Sequence, residues 1–226
     1  MSEWWTYSLR DLLLFSRQTY YRLFELYNLE WWPLQIVALA LGVAVFVLLR
    51  RGGERAGRVT ALILALGWLW VAWAFHVQRY ASINLAAGYF AWAFAFQALL
   101  LLWVGAVRGR LAPAPVGRLQ RRAGLGLVLF ALLLYPLIGP LLGRSWSQAE
   151  VFGMAPDPTA LATLGVLLIS GARPAWALFP VPVAWCLISG ATLWAMEVPG
   201  FAVVPLAALL AVGGALMHAR PGRSGR

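Results

Sequence analysis

Seven apolar runs, separated by short polar connections, fill most of this 226-residue chain. They cover residues 33–49, 59–76, 85–107, 123–142, 158–171, 177–195 and 201–217. A helix needs about 20 apolar residues to cross the hydrocarbon core of a bilayer, and several runs are that long or nearly so. The pattern predicts an all-α fold, a polytopic membrane helical bundle with seven transmembrane helices.

The basic residues alternate between the connections, and this alternation predicts an orientation. Thirteen of the eighteen, all of them Arg, lie in residues 50–58, 108–122 and 172–176 and in the tail, together with Glu54 as the one acid. The other five share the opposite side with seven acids. Because Arg-rich connections stay in the cytoplasm, we expect the amino terminus outside and the carboxy terminus inside. The net charge of +10 then reflects topology and contact with anionic membrane lipid, and not nucleic-acid binding.

Composition separates this chain from soluble domains, since 62% of the residues are hydrophobic and only 12% are charged. We expect one transmembrane domain over residues 33–219. An amphipathic interfacial segment, 1–32, precedes it, and a basic cytoplasmic tail, 220–226, follows. A bias towards Ala, Gly, Leu and Arg without any Lys indicates a bacterial genome rich in GC. The expected location is therefore the bacterial inner (plasma) membrane.

The amino-terminal segment has the spacing of an amphipathic helix over residues 8–28, with apolar positions recurring every three or four residues. A helix of this kind normally lies in the membrane interface. Ser8 with Asp11 forms a capping-box pattern at its start, but Ser16 is an alternative start for a second helix that would split the segment at Phe15.

The carboxy-terminal half is interrupted by proline. Pro136 and Pro140 are expected to kink or end the fourth run, and Pro180 and Pro182 open the sixth. The fifth run is short, so the fifth and sixth runs are either full spans or partly re-entrant. Interrupted spans commonly line binding sites in transporters. The alternative is that these are buried, mildly bent helices.

Polar side chains within or beside the apolar runs are the candidates for a solute- or ion-binding site, because such groups are costly inside a membrane. The candidates are His76, Arg79, Tyr80, Asn84, Gln97, Glu150, Asp157 and Glu197. Most of them map to the outer ends of their runs, where we expect some to meet across the bundle. A carboxylate beside His76 is part of this expectation.

Each candidate also has a purely structural interpretation. Asp157, which precedes Pro158, has the sequence of a helix N-cap. Arg79 can pair with Glu150 or Glu197 at the interface. Gln97 can donate a hydrogen bond to a neighbouring helix.

Signatures of enzymes and metal sites are sparse. One Cys and two His are too few for a site rich in these ligands, so no metal and no other cofactor is expected. The chain has no HExxH, GxSxG or P-loop motif. These observations argue against an enzyme without excluding one.

Several stretches resemble an uncharacterised family of bacterial multi-pass membrane proteins, known only as a domain of unknown function. They are residues 15–16 with 19–28, Ile83-Asn84 with Ala86-Ala87, and Phe152-Gly153 with 156–159 and 163–165. The resemblance implies an integral membrane protein and carries no activity with it.

Three classes of function remain open. A small-solute or ion transporter or channel is favoured by the interrupted helices and the polar residues near the outer face. A non-catalytic membrane sensor or partner-binding scaffold is the first alternative, because no charged residue lies deep in a span. An intramembrane enzyme is the second alternative, and no motif supports it. A transporter should have a cavity that reaches Gln97 or Cys186.

Overall fold

The computed structural model describes residues 14–170 and 175–219, and within them the chain is all-helical, as predicted. The helices are α1 (Arg17–Glu30), α2 (Leu34–Arg51), α3 (Glu54–Trp70), α4 (Ala87–Leu100), α5 (Arg118–Leu129), α6 (Tyr135–Leu141), α7 (Pro156–Ile169), α8 (Pro180–Ala195) and α9 (Val203–Ala219). The predicted tail, residues 220–226, lies outside the described residues.

Wide π-helical turns extend three of these helices. They are Val71–Val77 after α3, Leu101–Val107 after α4 and Phe130–Leu134 between α5 and α6. The last of them carries α5 into α6, with Pro136 in the first turn of α6, where a missing N–H costs little. The helix then ends one residue after Pro140. Turns of this kind often occur at functional sites.

Among the described residues, five helices are long and apolar enough to cross a membrane. They cover Leu34–Arg51, Glu54–Ser82, Ala87–Val107, Arg118–Leu141 and Trp176–Ala195. The fifth and seventh runs form shorter apolar helices, Pro156–Ile169 and Val203–Met217. The seven predicted runs therefore all form helices, and five of them have the length of a span.

Large apolar side chains cover the outside of the bundle. Leu66, Trp92, Phe96, Leu99 and Leu210 are all more than half exposed. A water-soluble protein rarely exposes apolar surface on this scale. The exterior therefore has the character of a membrane protein.

The short helix α7 lies at the centre of the bundle. All 14 of its residues are buried, and it packs against α3, α5, α8 and α9. At about 1.5 Å per residue it is about 21 Å long, which is less than the thickness of a bilayer core. Helix α7 is therefore shielded by protein on every side.

Two glycines bring α5 and α7 into backbone contact. A Cβ atom on Gly124 would lie 2.7 Å from the carbonyl oxygen of Gly165, and one on Gly165 would lie 2.8 Å from that of Gly124. Small residues at helix crossings allow this close approach. The crossing fixes α7 against α5.

Helix α1 begins at Arg17, as the alternative start at Ser16 predicts. The Thr19 N–H donates a hydrogen bond to Ser16 Oγ at 3.2 Å, so Ser16 is the N-cap. The predicted single helix over 8–28 is wrong at its start, because Phe15 and Ser16 are not helical. Residues 8–13 lie outside the described residues.

Helix α1 covers the end of the bundle at which α7 begins, hereafter the α1 end. Its buried face consists of Tyr20, Tyr21, Leu23, Phe24 and Tyr27. The Tyr27 hydroxyl donates to the Met154 carbonyl at 3.1 Å and accepts from Trp70 Nε1 at 2.8 Å. These bonds attach α1 to the segment just before α7.

Candidate functional site

A single buried carboxylate collects three hydrogen bonds at the start of α7. Asp157 is 1% exposed. It accepts from the Tyr135 hydroxyl at 2.6 Å, from Trp185 Nε1 at 2.7 Å and from the Ser189 hydroxyl at 2.7 Å. Asp157 is not the N-cap, which is Ala155, so the capping interpretation of Asp157 is wrong.

Local structure explains how these groups converge. Pro156 begins α7 and places Asp157 in its first turn, where the positive end of the helix dipole stabilises a carboxylate. Trp185 and Ser189 are four residues apart on α8 and therefore share a face. Tyr135 comes directly after the π-helical turn of Phe130–Leu134, which sets its direction. Three helices thus meet at one carboxylate.

A second carboxylate, Glu150, lies nearby in the connection before α7. It is 6% exposed, and its Oε1 is 3.2 Å from the Arg144 guanidinium. That guanidinium also lies over the Tyr21 ring, 4.0 Å from the ring centroid. Burial raises the pKa of Glu150 to about 7, Arg144 opposes the rise, and the charge of Asp157 adds to it.

We call Asp157, Tyr135, Glu150 and Arg144 the carboxylate cluster. It contains two buried carboxylates and one partly buried guanidinium. With both carboxylates ionised, one buried negative charge has no partner inside the cluster, and such a charge is costly. A proton or a cation removes that cost. The cluster therefore has the chemistry of a proton- or cation-binding site.

Two cavities lead to the cluster from the α1 end. The outer one, the vestibule, is open and has a volume of about 920 Å³. The inner cavity has about 30 Å³, enough for one or two water molecules, and is largely enclosed. Glu150 and Tyr135 line the inner cavity, while Arg17, Tyr21 and Arg144 line both. Tyr135 thus connects the inner cavity to Asp157.

His76 lies behind the cluster among aromatic rings. It is fully buried in the Val71–Val77 turn, with its ring centroid 4.5 Å from that of Phe94 and 5.0 Å from that of Trp185. Neither ring nitrogen has a hydrogen-bond partner among the described residues. The expected carboxylate therefore does not lie against His76. Trp185 contacts the His76 ring and donates a hydrogen bond to Asp157, so it lies between the two residues.

The neighbouring candidates have structural partners. Arg79 forms an ion pair with Glu30 of α1, in place of the partners proposed from the sequence. Tyr80 is buried beside His76, with 5.9 Å between ring centroids. Asn84 Oδ1 accepts a hydrogen bond from the Ala86 N–H at 2.8 Å and so shapes the turn before α4.

The two remaining candidates are Gln97 and Glu197. Gln97 donates to the Leu178 carbonyl at 3.1 Å, while its Oε1 is buried without a hydrogen-bond partner in the described part of the chain. Glu197 has a φ of 55°, and the next N–H, of Val198, donates to the Leu193 carbonyl at 2.9 Å. This left-handed residue ends α8 in a Schellman turn.

Four contributors to the site were missed from the sequence: Tyr135, Arg144, Trp185 and Ser189. A Tyr and a Ser within apolar runs are common, and the Trp fits a lipid-facing position equally well. Only Arg144 carries a signal, since it lies in an otherwise uncharged stretch a few residues before Glu150. No group of three His, Cys, Asp or Glu side chains that suits a metal ion occurs among residues 14–170 and 175–219.

Comparison with known proteins gives one match. No curated protein matches the chain, and no solved structure does. The model of one protein family, described as a family of unknown function (DUF6064), matches residues 17–225. That match begins at the first residue of α1 and includes the whole carboxylate cluster. Since it covers nearly the entire chain, the protein belongs to the DUF6064 family.

Proposed function

We propose that this chain is an integral membrane protein that transports a small solute or an ion, with the carboxylate cluster as its proton- or cation-binding site. The observation that carries the proposal is the pairing of two buried carboxylates with one guanidinium, beneath a cavity open at the α1 end. Ionisable groups buried within a helix bundle mark ion pathways and proton relays in membrane proteins.

The proposed setting is the bacterial inner membrane, crossed seven times, with the amino terminus outside. The exposed apolar exterior supports insertion in lipid. The Arg-rich connections, at the opposite end from α1, support an orientation in which the α1 end faces outward. In this orientation Glu150 is reached from outside through the vestibule and the inner cavity.

The proposed path continues from Glu150 through Tyr135 to Asp157. The 2.6 Å hydrogen bond between Tyr135 and Asp157 is short enough for a hydroxyl to pass a proton between its neighbours. Release to the inside requires α6 or α8 to move away from α7. Pro140 lies inside α6 and lacks a backbone N–H to donate, so this helix is the one proposed to bend.

A sensor or scaffold is the second candidate, and one observation favours it. Gln97 and Cys186 are fully buried, and neither lines the vestibule or the inner cavity. Helix α7 is likewise packed on all sides. A transporter must therefore open an inner path that this conformation does not have.

Accessibility at Ser189 separates the two candidates. Ser189→Cys in a Cys186→Ala background places one thiol beside Asp157. A transporter exposes this thiol to a membrane-impermeant reagent from each side of oriented vesicles in turn, whereas a scaffold protects it from both. Ser145→Cys, at the α1 end, and Arg55→Cys, at the other end, are the controls for outside and inside labelling. Protection of Ser189→Cys from both sides refutes transport.

A further inference from the structure

The vestibule gathers nearly all the arginines that the topology places outside. Five Arg are predicted on that side, and four of them line this one pocket. They are Arg17, Arg22, Arg79 and Arg144. Arg22 forms an ion pair with Glu25, the one acidic side chain among the lining residues described, and Arg79 forms one with Glu30 of α1. A guanidinium has five N–H donors, so an arginine with one carboxylate partner keeps donors for a bound anion. Because Arg is disfavoured outside, the convergence of four on one pocket indicates a binding role.

Helix α1 adds to the positive potential of the pocket. Its first turn contains no acidic residue, although acids are favoured there, and Arg17 occupies its first position. Gln18 and Thr19 of the same turn also line the vestibule. Ser16 Oγ caps the Thr19 N–H, and the N–H groups of Arg17 and Gln18 have no partner within the helix. Guanidinium groups and helix N–H groups together suit an oxyanion.

Arg144 lies between this pocket and the Glu150 carboxylate. Its guanidinium lines both the vestibule and the inner cavity, 3.2 Å from Glu150. Stacking over Tyr21 orients its planar face. The bond from Arg144 to Glu150 is a single N–H contact of 3.2 Å, so an anion that draws the guanidinium towards the vestibule breaks it.

We propose that the vestibule binds an oxyanion, a carboxylate or phosphate group, and that Arg144, shared between this anion and Glu150, links anion binding to proton uptake by Glu150. The link to transport rests on the proposed function, in which the same cluster carries the proton. The substrate class is then a small anion that moves together with a proton.

The proton balance of the link is simple. When the bound anion draws Arg144 away, the Glu150 carboxylate loses its cation and takes one proton from water of the inner cavity, so one anion and one proton enter together. The groups facing Glu150 from the elements around it are Arg17, Tyr20 and Tyr21 of α1, Tyr135 of α6, Arg144, and Asp157 of α7. Linkage is reciprocal, so protonation of Glu150 tightens anion binding by the same factor.

Sulfate tests the site, because its charge stays constant near neutral pH. Its affinity is measured by titration calorimetry on the full chain in phosphatidylcholine nanodiscs, with chloride of equal ionic strength as the reference. We expect Arg22→Gln and Arg79→Gln each to weaken sulfate binding about tenfold. Arg122→Gln, which removes the same charge at the opposite end, should leave it unchanged. Binding no stronger than that of chloride, or equal in all three variants, overturns the anion site.

The pH dependence tests the link. Sulfate should bind several-fold more tightly at about pH 6 than at about pH 8, and Glu150→Gln should remove this difference. A difference that persists in Glu150→Gln overturns the link to Glu150. Sulfate binding together with two-sided protection of Ser189→Cys would keep the anion site and reject transport.

A nanodisc containing phosphatidylglycerol distinguishes the two sources of the oxyanion. If sulfate binding survives in the anionic lipid, the vestibule takes a soluble anion, as transport requires. If the anionic lipid displaces sulfate, the oxyanion is a lipid headgroup, and the proposed substrate class is wrong.

Discussion

The Tyr135 hydroxyl and the Asp157 carboxylate lie 2.6 Å apart, although 22 residues of chain separate them. Their hydrogen bond joins α6 to α7, and Trp185 and Ser189 join α8 to the same carboxylate. One side chain therefore holds three helices in register at the point where the inner cavity ends. Stability and the proposed proton binding therefore depend on the same contacts.

Tyr135→Phe should lower the free energy of unfolding by about 1 to 3 kcal/mol, because a buried carboxylate loses one of its three donors. The loss is measured as a lower midpoint of thermal unfolding in detergent. Tyr89→Phe is the matched control, since Tyr89 is 77% exposed on the bundle exterior and should tolerate the change. Equal midpoints for both variants would show that the Tyr135 bond contributes nothing to stability.

Gly165→Ala should destabilise the protein by about 1 to 3 kcal/mol, because the new methyl group has no room against α5. The atom that must yield is the Gly124 carbonyl oxygen, which belongs to the backbone. Gly126→Ala, also in α5, is the control, since nothing lies within 4 Å of its added Cβ. This control should be neutral or slightly stabilising, as Ala favours helix more than Gly does. A stable Gly165→Ala protein would mean that the two helices do not cross this closely.

Stability should fall as pH rises from about 4.5 towards 7. Burial raises the pKa of Glu150 from its ordinary 4.5 to about 7, so the folded protein holds a proton in this range that the unfolded chain has released. The contribution to stability is full below about pH 4.5 and is lost as pH approaches 7, an effect of up to about 3 kcal/mol. Thermal midpoints across this range should decline in the wild type and decline less in Glu150→Gln. Parallel curves for the two proteins would contradict a raised pKa.

Reporter fusions test the orientation. Fusions at Gly53, Pro115 and Ser224 should all report the cytoplasm, because Arg-rich segments stay inside. A fusion at Ser145 should report the outside. If the Ser224 fusion reports the outside instead, α7 and α8 do not cross the membrane as two separate spans.

The helices were predictable from sequence because apolar periodicity is local. The short fifth run and the carboxy-terminal prolines also pointed to an unusual carboxy half, and α7 is indeed short and central. What local pattern could not supply is the partnership of Asp157. The side chains that donate hydrogen bonds to it lie on α6 and α8, far away in the sequence. An Asp beside a Pro at the start of a helix gives the same local sequence whether it caps the helix or accepts hydrogen bonds from other helices.

His76 shows another limit of sequence patterns. It was one of the candidate residues, and a carboxylate was expected beside it. The structure surrounds it with aromatic rings, because the π-helical turn of Val71–Val77 directs its side chain inward. A π-helical turn changes the number of residues per turn and so changes the direction in which the following side chains point. The apolar periodicity of the sequence does not reveal such a turn.

The enclosure of α7 also bears on how the chain is made. A 14-residue helix with a carboxylate in its first turn cannot rest stably in lipid, and two of the donors to that carboxylate are on α8, which is synthesised afterwards. Helix α7 packs against α3 and α5, which precede it in the chain, and against α8 and α9, which follow it. It is therefore fully buried only after α8 and α9 have been synthesised. A chain that ends before Trp185 has one of the three donors to Asp157, that of Tyr135, so the burial of this carboxylate depends on the helix that follows it.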